Sequence, residues 1–188
     1  MFGEFAAGRE RARAELDAKP WLKEKVLRIA ANEQGNNPAG TQGVLETLIN
    51  RSVNRGTSIE KEARWHRSER GYYAEGSIGR GALENPRHRA VLEHSLERAL
   101  AGSNITNYAT DNASGNLARR EESSGAFVPH VTINGEHFSH PGRAEPALRD
   151  RWQRQVYGAE TARLAEEHAA KQAAKAPAER LADGEVAP

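Results

Sequence analysis

The chain of 188 residues carries 27 Lys and Arg against 26 Asp and Glu, a net charge of +1, so no global field of one sign holds it on nucleic acid or an anionic membrane. Cysteine is absent, which removes disulfides, thiolate zinc sites and cysteine nucleophiles together. The length suits one domain with ragged ends; no window approaches a membrane span of about 18 apolar residues, and the charged N-terminus lacks the apolar stretch of a signal peptide.

Residues 4–18, rich in Glu, Arg and Ala, read as an exposed helix ending before Lys19-Pro20; residues 1–20 are taken as a charged helical lead-in and 21–158 as the domain proper. From Trp21, residues Leu22, Val26, Ile29, Ala30 and Glu33 share one helical face. Gly35-Asn36-Asn37-Pro38 stops that helix, and a second begins near Thr41 with Val44, Leu45, Leu48, Ile49, Ser52 and Val53 facing inward. Residues 62–84, holding Trp65, Tyr72 and Tyr73 among charges and glycines, suit a long loop over a site.

A third helix spans about residues 86–101 and is closed by Gly102; residues 103–125 read as polar and irregular. FVPHVTI, then Asn134-Gly135, then EHFSH predicts a tight hairpin pairing Thr132 with His137 and Val131 with Phe138. That register puts Phe127, Val131, Ile133 and Phe138 on one face, and His130, Thr132, His137 and Ser139 on the other. A last packed helix, about residues 145–157, presents Leu148, Trp152 and Val156, and residues 159–188 read as a frayed helix and disordered tail. The expected class is mainly α (α+β), helical with one small β-hairpin.

Glu33 is the leading candidate for chemistry. A carboxylate on an apolar helix face is costly unless paired; bordering a cleft, it acquires the raised pKa that a general acid needs, as in glycosidases. The alternative from periodicity alone is a salt bridge to Arg28 or Arg51.

Residues 27–51, LRIAANEQGNNPAGTQGVLETLINR, resemble the catalytic segment of the spore-cortex-lytic type of cell-wall hydrolases, in which a helix ends in Ala-Glu, a glycine-containing turn follows, and the next helix closes with Asn-Arg. Here Ala31-Asn32-Glu33-Gln34-Gly35, Gly40, Gln42 and Asn50-Arg51 keep that order. Thr106-Asn107-Tyr108 is similar to the family's Thr-His-Tyr, and Gly135-Glu136-His137-Phe138 to its closing Gly-x-His-x-aromatic segment, so the likeness spans about residues 22–140. Asn32 and Asn107 depart from the pattern.

The resemblance implies a lysozyme-like fold, a peptidoglycan substrate, and lytic transglycosylation in which Glu33 protonates the glycosidic oxygen and then takes the proton of the sugar's own 6-hydroxyl. Hydrolysis by a muramidase or glucosaminidase would instead need a second carboxylate roughly 5 to 9.5 Å away, for which Glu75 and Asp111 are the candidates. Tyr72 or Tyr73 suits packing on a pyranose ring, Gln42 and Asn50 suit donation to N-acetyl groups, and Tyr108, Thr132 and His137 complete the substrate-binding candidates. Asn50 serves equally to tie the helical hairpin together.

His130, His137 and His140 do not form a metal set, because the hairpin register turns His140 away from His137; no metal and no cofactor is expected. No serine lies in a Gly-x-Ser-x-Gly elbow. Arg64, Arg67, Arg70 and Arg80 form the only basic patch, a nucleic-acid groove in one reading and an attractor for acidic peptide stems in another. Two further possibilities are a non-catalytic peptidoglycan-binding module and a structural part of a larger assembly. Action at the cell wall without a signal peptide implies delivery by a virion, a lysis system or a secretion apparatus.

Overall fold

The computed structural model describes residues 3–65 and 77–182, with side chains at 3–63 and 81–174. Among the described residues are eight helices and one three-stranded antiparallel sheet, so the chain is mainly α with a small β element, as expected. Helices α1 (Glu4–Ala18), α2 (Pro20–Gln34) and α3 (Pro38–Arg55) come first. Proline opens α2 and α3 where its missing N–H costs nothing, and the Asn37 side chain caps α3 by accepting from the Gly40 amide at 2.7 Å.

α1 corrects the expectation of an exposed lead-in: Phe5, Gly8, Ala12 and Leu16 are buried, and the helix packs on α3. Those four residues are spaced one helical turn apart, but two are too small to register as an apolar stripe in a segment otherwise full of Glu and Arg. Phe5 joins Val53 and Tyr108, with Trp152, Val156 and Ala159 packed against them, in a second cluster beside the main core. Lead-in and last helix therefore close one end of the molecule together.

The region expected as a long loop contains α4 (Ile59–Trp65) and α5 (Ser77–Glu84), the latter packed on α2. α6 (Pro86–Leu100) follows, capped by Asn85, whose Oδ1 accepts from the amides of Arg87 and His88 at 3.0 and 3.3 Å. The stretch expected to be irregular holds β1 (Asp111–Ala113) and α7 (Gly115–Ser124). α7 buries only Ala118, so its sequence carries no helical apolar face.

The hairpin forms as read, from β2 (Phe127–Ile133) and β3 (Glu136–Pro141), with Thr132 opposite His137 and Val131 opposite Phe138. Asn134 and Gly135 turn with φ of 51° and 78°, conformations that Asn and Gly tolerate best. A bulge between Pro129 and Val131 interrupts the register, and β1 pairs with β3 to give the sheet order β1-β3-β2. Wholly buried Phe138 lies against Gly43 and thereby seats the sheet on α3.

α3 is enclosed from Gly40 to Asn54. Its polar residues Gln42, Glu46, Asn50 and Asn54 recur every fourth position, one row along the helix. The first three hold the irregular chain beside it, and the fourth holds the start of the last helix. Gln42 Nε2 donates to Ser103 at 2.6 Å; Glu46 accepts from the Thr106 amide at 3.1 Å and hydroxyl at 3.0 Å; Asn50 donates to the Ala109 carbonyl at 3.1 Å; Asn54 donates to the Leu148 carbonyl at 3.1 Å. Arg51, 1% exposed, adds the Thr110 carbonyl at 2.7 Å and an ion pair with Asp111 at 2.5 Å.

α8 (Pro146–Ala182) runs on past Gly158, where the expected packed helix stopped and a frayed tail began. Trp152 and Val156 pack against the second cluster, Glu160 accepts from the Tyr108 hydroxyl at 2.9 Å, and from Arg163 to Ala174 the helix is exposed. Ala, Glu and Lys are strong helix formers, which accounts for continuation without a buried face. No described helix is long and apolar enough to cross a membrane.

If α1 belongs to the core, Leu16→Ala destabilises the fold by about 2 to 5 kcal/mol. Urea unfolding measures this; an exposed lead-in would give a change within about 0.5 kcal/mol.

Candidate active site

Glu33 is the penultimate residue of α2, half-buried, and makes no hydrogen bond or ion pair among the described residues. Neither expected salt bridge forms: Arg51 is committed to Asp111 and Thr110, and the buried Nε of Arg28 has no partner. Burial first, and the negative charge of Glu136 second, raise the Glu33 carboxyl to about 7. Its place at the C-terminal end of α2, the negative pole of the helix dipole, acts in the same direction.

Glu136, the first residue of β3, is 7% exposed. Its oxygens accept from Asn112 Nδ2 of β1 at 3.1 Å and from Gln34 Nε2 at 3.4 Å, with a further bond from the Ser114 side chain. Burial raises the Glu136 carboxyl above the ordinary range, with the charge of Asp111 adding a little, although the bonds from Asn112 and Ser114 and the nearby His137 oppose the rise. Gln34, adjacent to Glu33, also accepts from Asn134 Nδ2 at 3.0 Å, so one buried amide fastens the helix end to the hairpin turn. Gly40 leaves room for it, since a Cβ there would come within 2.2 Å of Gln34 Oε1.

Two more acids complete the cluster. Asp111 is held by Arg51 and also accepts from the Asn112 amide at 2.9 Å, so it is an ion-pair partner and not a free second carboxylate. Glu121 of α7 is lifted to about 7, by burial and then by Asp111, against the opposing pull of Arg51 and Arg120. The other sequence candidate, Glu75, lies outside the described residues, as do Tyr72 and Tyr73 and the side chains of Arg64, Arg67, Arg70 and Arg80.

Gln42 and Asn50, expected as sugar donors, are buried with their amide groups engaged, Gln42 with Glu46 at 2.9 Å and Ser103, and Asn50 with the Ala109 carbonyl. Their positions are structural: they tie α3 to the chain running beside it. Tyr108 is likewise a core residue, its ring tilted 32° against that of Phe5 with centroids 4.8 Å apart, its hydroxyl bonded to Glu160 and pushed up to about 12 by burial. Thr132 and His137 do meet, Oγ1 to Nδ1 at 3.0 Å, but strand alternation puts them on the opposite face from Glu136 and Phe138.

His140 stacks on Trp152 at 4.3 Å, with His130 edge-on to it at 5.5 Å. No group of three or more His, Asp or Glu among the described residues could hold a metal. Two clefts, of about 340 Å³ beside Glu15 and Thr57 and about 290 Å³ beside Arg9 and Tyr108, are lined by neither Glu33 nor Glu136.

Sequence reasoning missed Glu136, Gln34 and Glu121. For Glu136 the signal was present: the hairpin register pairs it with Ile133, on the same face as Phe138, so a carboxylate stands on an apolar face exactly as Glu33 does. The chain matches no family model, and no curated protein or solved structure is detectably similar to it.

A carboxyl raised from 4.5 to about 7 binds more protons folded than unfolded, so its contribution to stability falls as pH rises through that window. Glu33→Gln, neutral at every pH, is therefore expected to raise Tm at pH 8 by more than at pH 4, where Glu33 is protonated in both states. Thermal melts at the two pH values check this, and the same change in Tm at both would contradict it.

Proposed function

We propose that this chain cleaves the glycan strands of peptidoglycan in the manner of a lytic transglycosylase, with Glu33 as its acid and base, in a lysozyme-like arrangement. The observation that carries the reading is a half-buried carboxyl that has no hydrogen-bond or ion-pair partner among the described residues and is raised to about 7. The protonated carboxyl gives its proton to the glycosidic oxygen as the bond from C1 breaks. The resulting carboxylate then takes the proton of the 6-hydroxyl, whose oxygen bonds to C1. The product is a 1,6-anhydro sugar, and Glu33 ends protonated as it began. The resemblance of residues 27–51 to the spore-cortex-lytic type supplies the substrate class, and delivery to the wall by a virion, lysis or secretion machinery belongs to the same proposal.

Glu136 favours a second reading. A carboxylate beside the acid could act as base or nucleophile toward C1, which gives hydrolysis with a reducing-end product.

Mass spectrometry of the products released from purified peptidoglycan by the wild type and by Glu33→Gln decides between them. Anhydro-muramyl products from the wild type alone are expected, with a rate loss for the variant of at least a hundredfold. Reducing ends would replace the first reading with the second, and no products from either protein would refute both.

A further inference from the structure

Glu33 and Glu136 come from different elements, the end of α2 and the start of β3, and are joined through one residue. Gln34, next to Glu33 in the chain, donates to Glu136 at 3.4 Å and accepts from Asn134 at 3.0 Å, so the helix end and the strand start are clamped together. The two carboxyls differ in what surrounds them. Glu136 accepts from Asn112, Gln34 and Ser114, all of which stabilise an anion, whereas Glu33 has no donor among the described residues. When two neighbouring carboxyls cannot both ionise freely, the one with the donors takes the charge and the one without keeps the proton.

We propose, resting on the reading of Glu33 as the cleavage acid, that Glu136 is the positioning residue of this site: the fixed negative charge against which Glu33 holds its proton until the leaving oxygen takes it. Glu136 itself forms and breaks no bond in the reaction. The negative charge beside Glu33 also opposes its ionisation once the proton has gone. That favours recovery of a proton from the 6-hydroxyl and returns the acid to its starting form.

Among the described residues, the charged groups around the pair are few. Facing Glu136 are Glu33 from α2, Asp111 from β1 with Arg51 of α3 bonded to it, Glu121 from α7, and His137 on its own strand. Arg51 is bonded to Asp111 and Thr110, and among the described residues no cation forms an ion pair with Glu136.

The sign of the effect follows. Activity that requires protonated Glu33 is lost as pH rises through about 7. Removing the charge of Glu136 lets Glu33 ionise at lower pH, so the alkaline limb of the activity profile moves toward acid. A limb moved by one unit leaves roughly a fivefold smaller protonated fraction at pH 7.

The test is the pH profile of kcat/KM on purified peptidoglycan for the wild type, Glu136→Gln and Glu136→Asp, with the Glu33 carboxyl titrated by carbon-13 NMR in the same proteins without substrate. The expected result is an acid-ward move of both the alkaline limb and the NMR midpoint in Glu136→Gln, and return of both in Glu136→Asp, which keeps the charge. An unchanged NMR midpoint in a folded Glu136→Gln would overturn the proposal. Should that variant not fold, Asn112→Ala removes a donor from the Glu136 anion and should move the Glu33 midpoint the same way; no movement there would overturn it equally. A wild type inactive on peptidoglycan defeats the glycan reading, while the NMR midpoint still decides the part of Glu136.

Discussion

The row of polar side chains along α3 is the constraint on which the rest depends. Gln42, Glu46, Asn50, Arg51 and Asn54 lie in the middle of the molecule, where an unsatisfied polar group costs about 1 to 3 kcal/mol. Each finds its partner on chain that could not satisfy itself: Ser103, Thr106, Ala109, Thr110 and Asp111 follow the helix in order, and Asn54 reaches α8. The irregular segment is in effect the missing second strand of hydrogen bonds for a helix with no solvated face. Remove the row and residues 103–111 lose the reason for their path, and with it β1 loses its place beside β3.

The acid pair follows from that placement. β1 carries Asn112, whose amide holds Glu136, and Asp111, whose ion pair occupies Arg51. Arg51 and Arg120 pull the Glu121 carboxyl down, yet burial and the neighbouring acids still lift Glu33 and Glu121 to about 7. Such an arrangement opposes folding as pH rises through about 7. Sites that strain their own scaffold in this way are where function is most often found.

The elements legible in the sequence were those with strong period or strong turn chemistry. The α2–α3 pair declared itself by its apolar faces, and the β2–β3 hairpin by Asn134-Gly135 between alternating strands. α1 and α7 did not, because one packs through glycine and alanine and the other buries a single alanine. At the site, Glu33 stood out as a charge on an apolar stripe. Glu136 obeys the same rule on a strand, next to His137, which faces the other way. Nothing in the spacing of Gln42 and Asn50 shows that an irregular segment lies across them, nor in that of Tyr108 that its ring lies against Phe5. Burial of that kind is a long-range fact.

The central claim is that Glu33 meets a glycosidic oxygen. A crystal structure of Glu33→Gln with a peptidoglycan tetrasaccharide tests it most directly. The bridging oxygen is expected about 2.6 to 3.2 Å from the side chain of residue 33, with Glu136 in place on Asn112 and Gln34. Sugar rings ordered elsewhere on the molecule, with residue 33 left facing solvent, would contradict it.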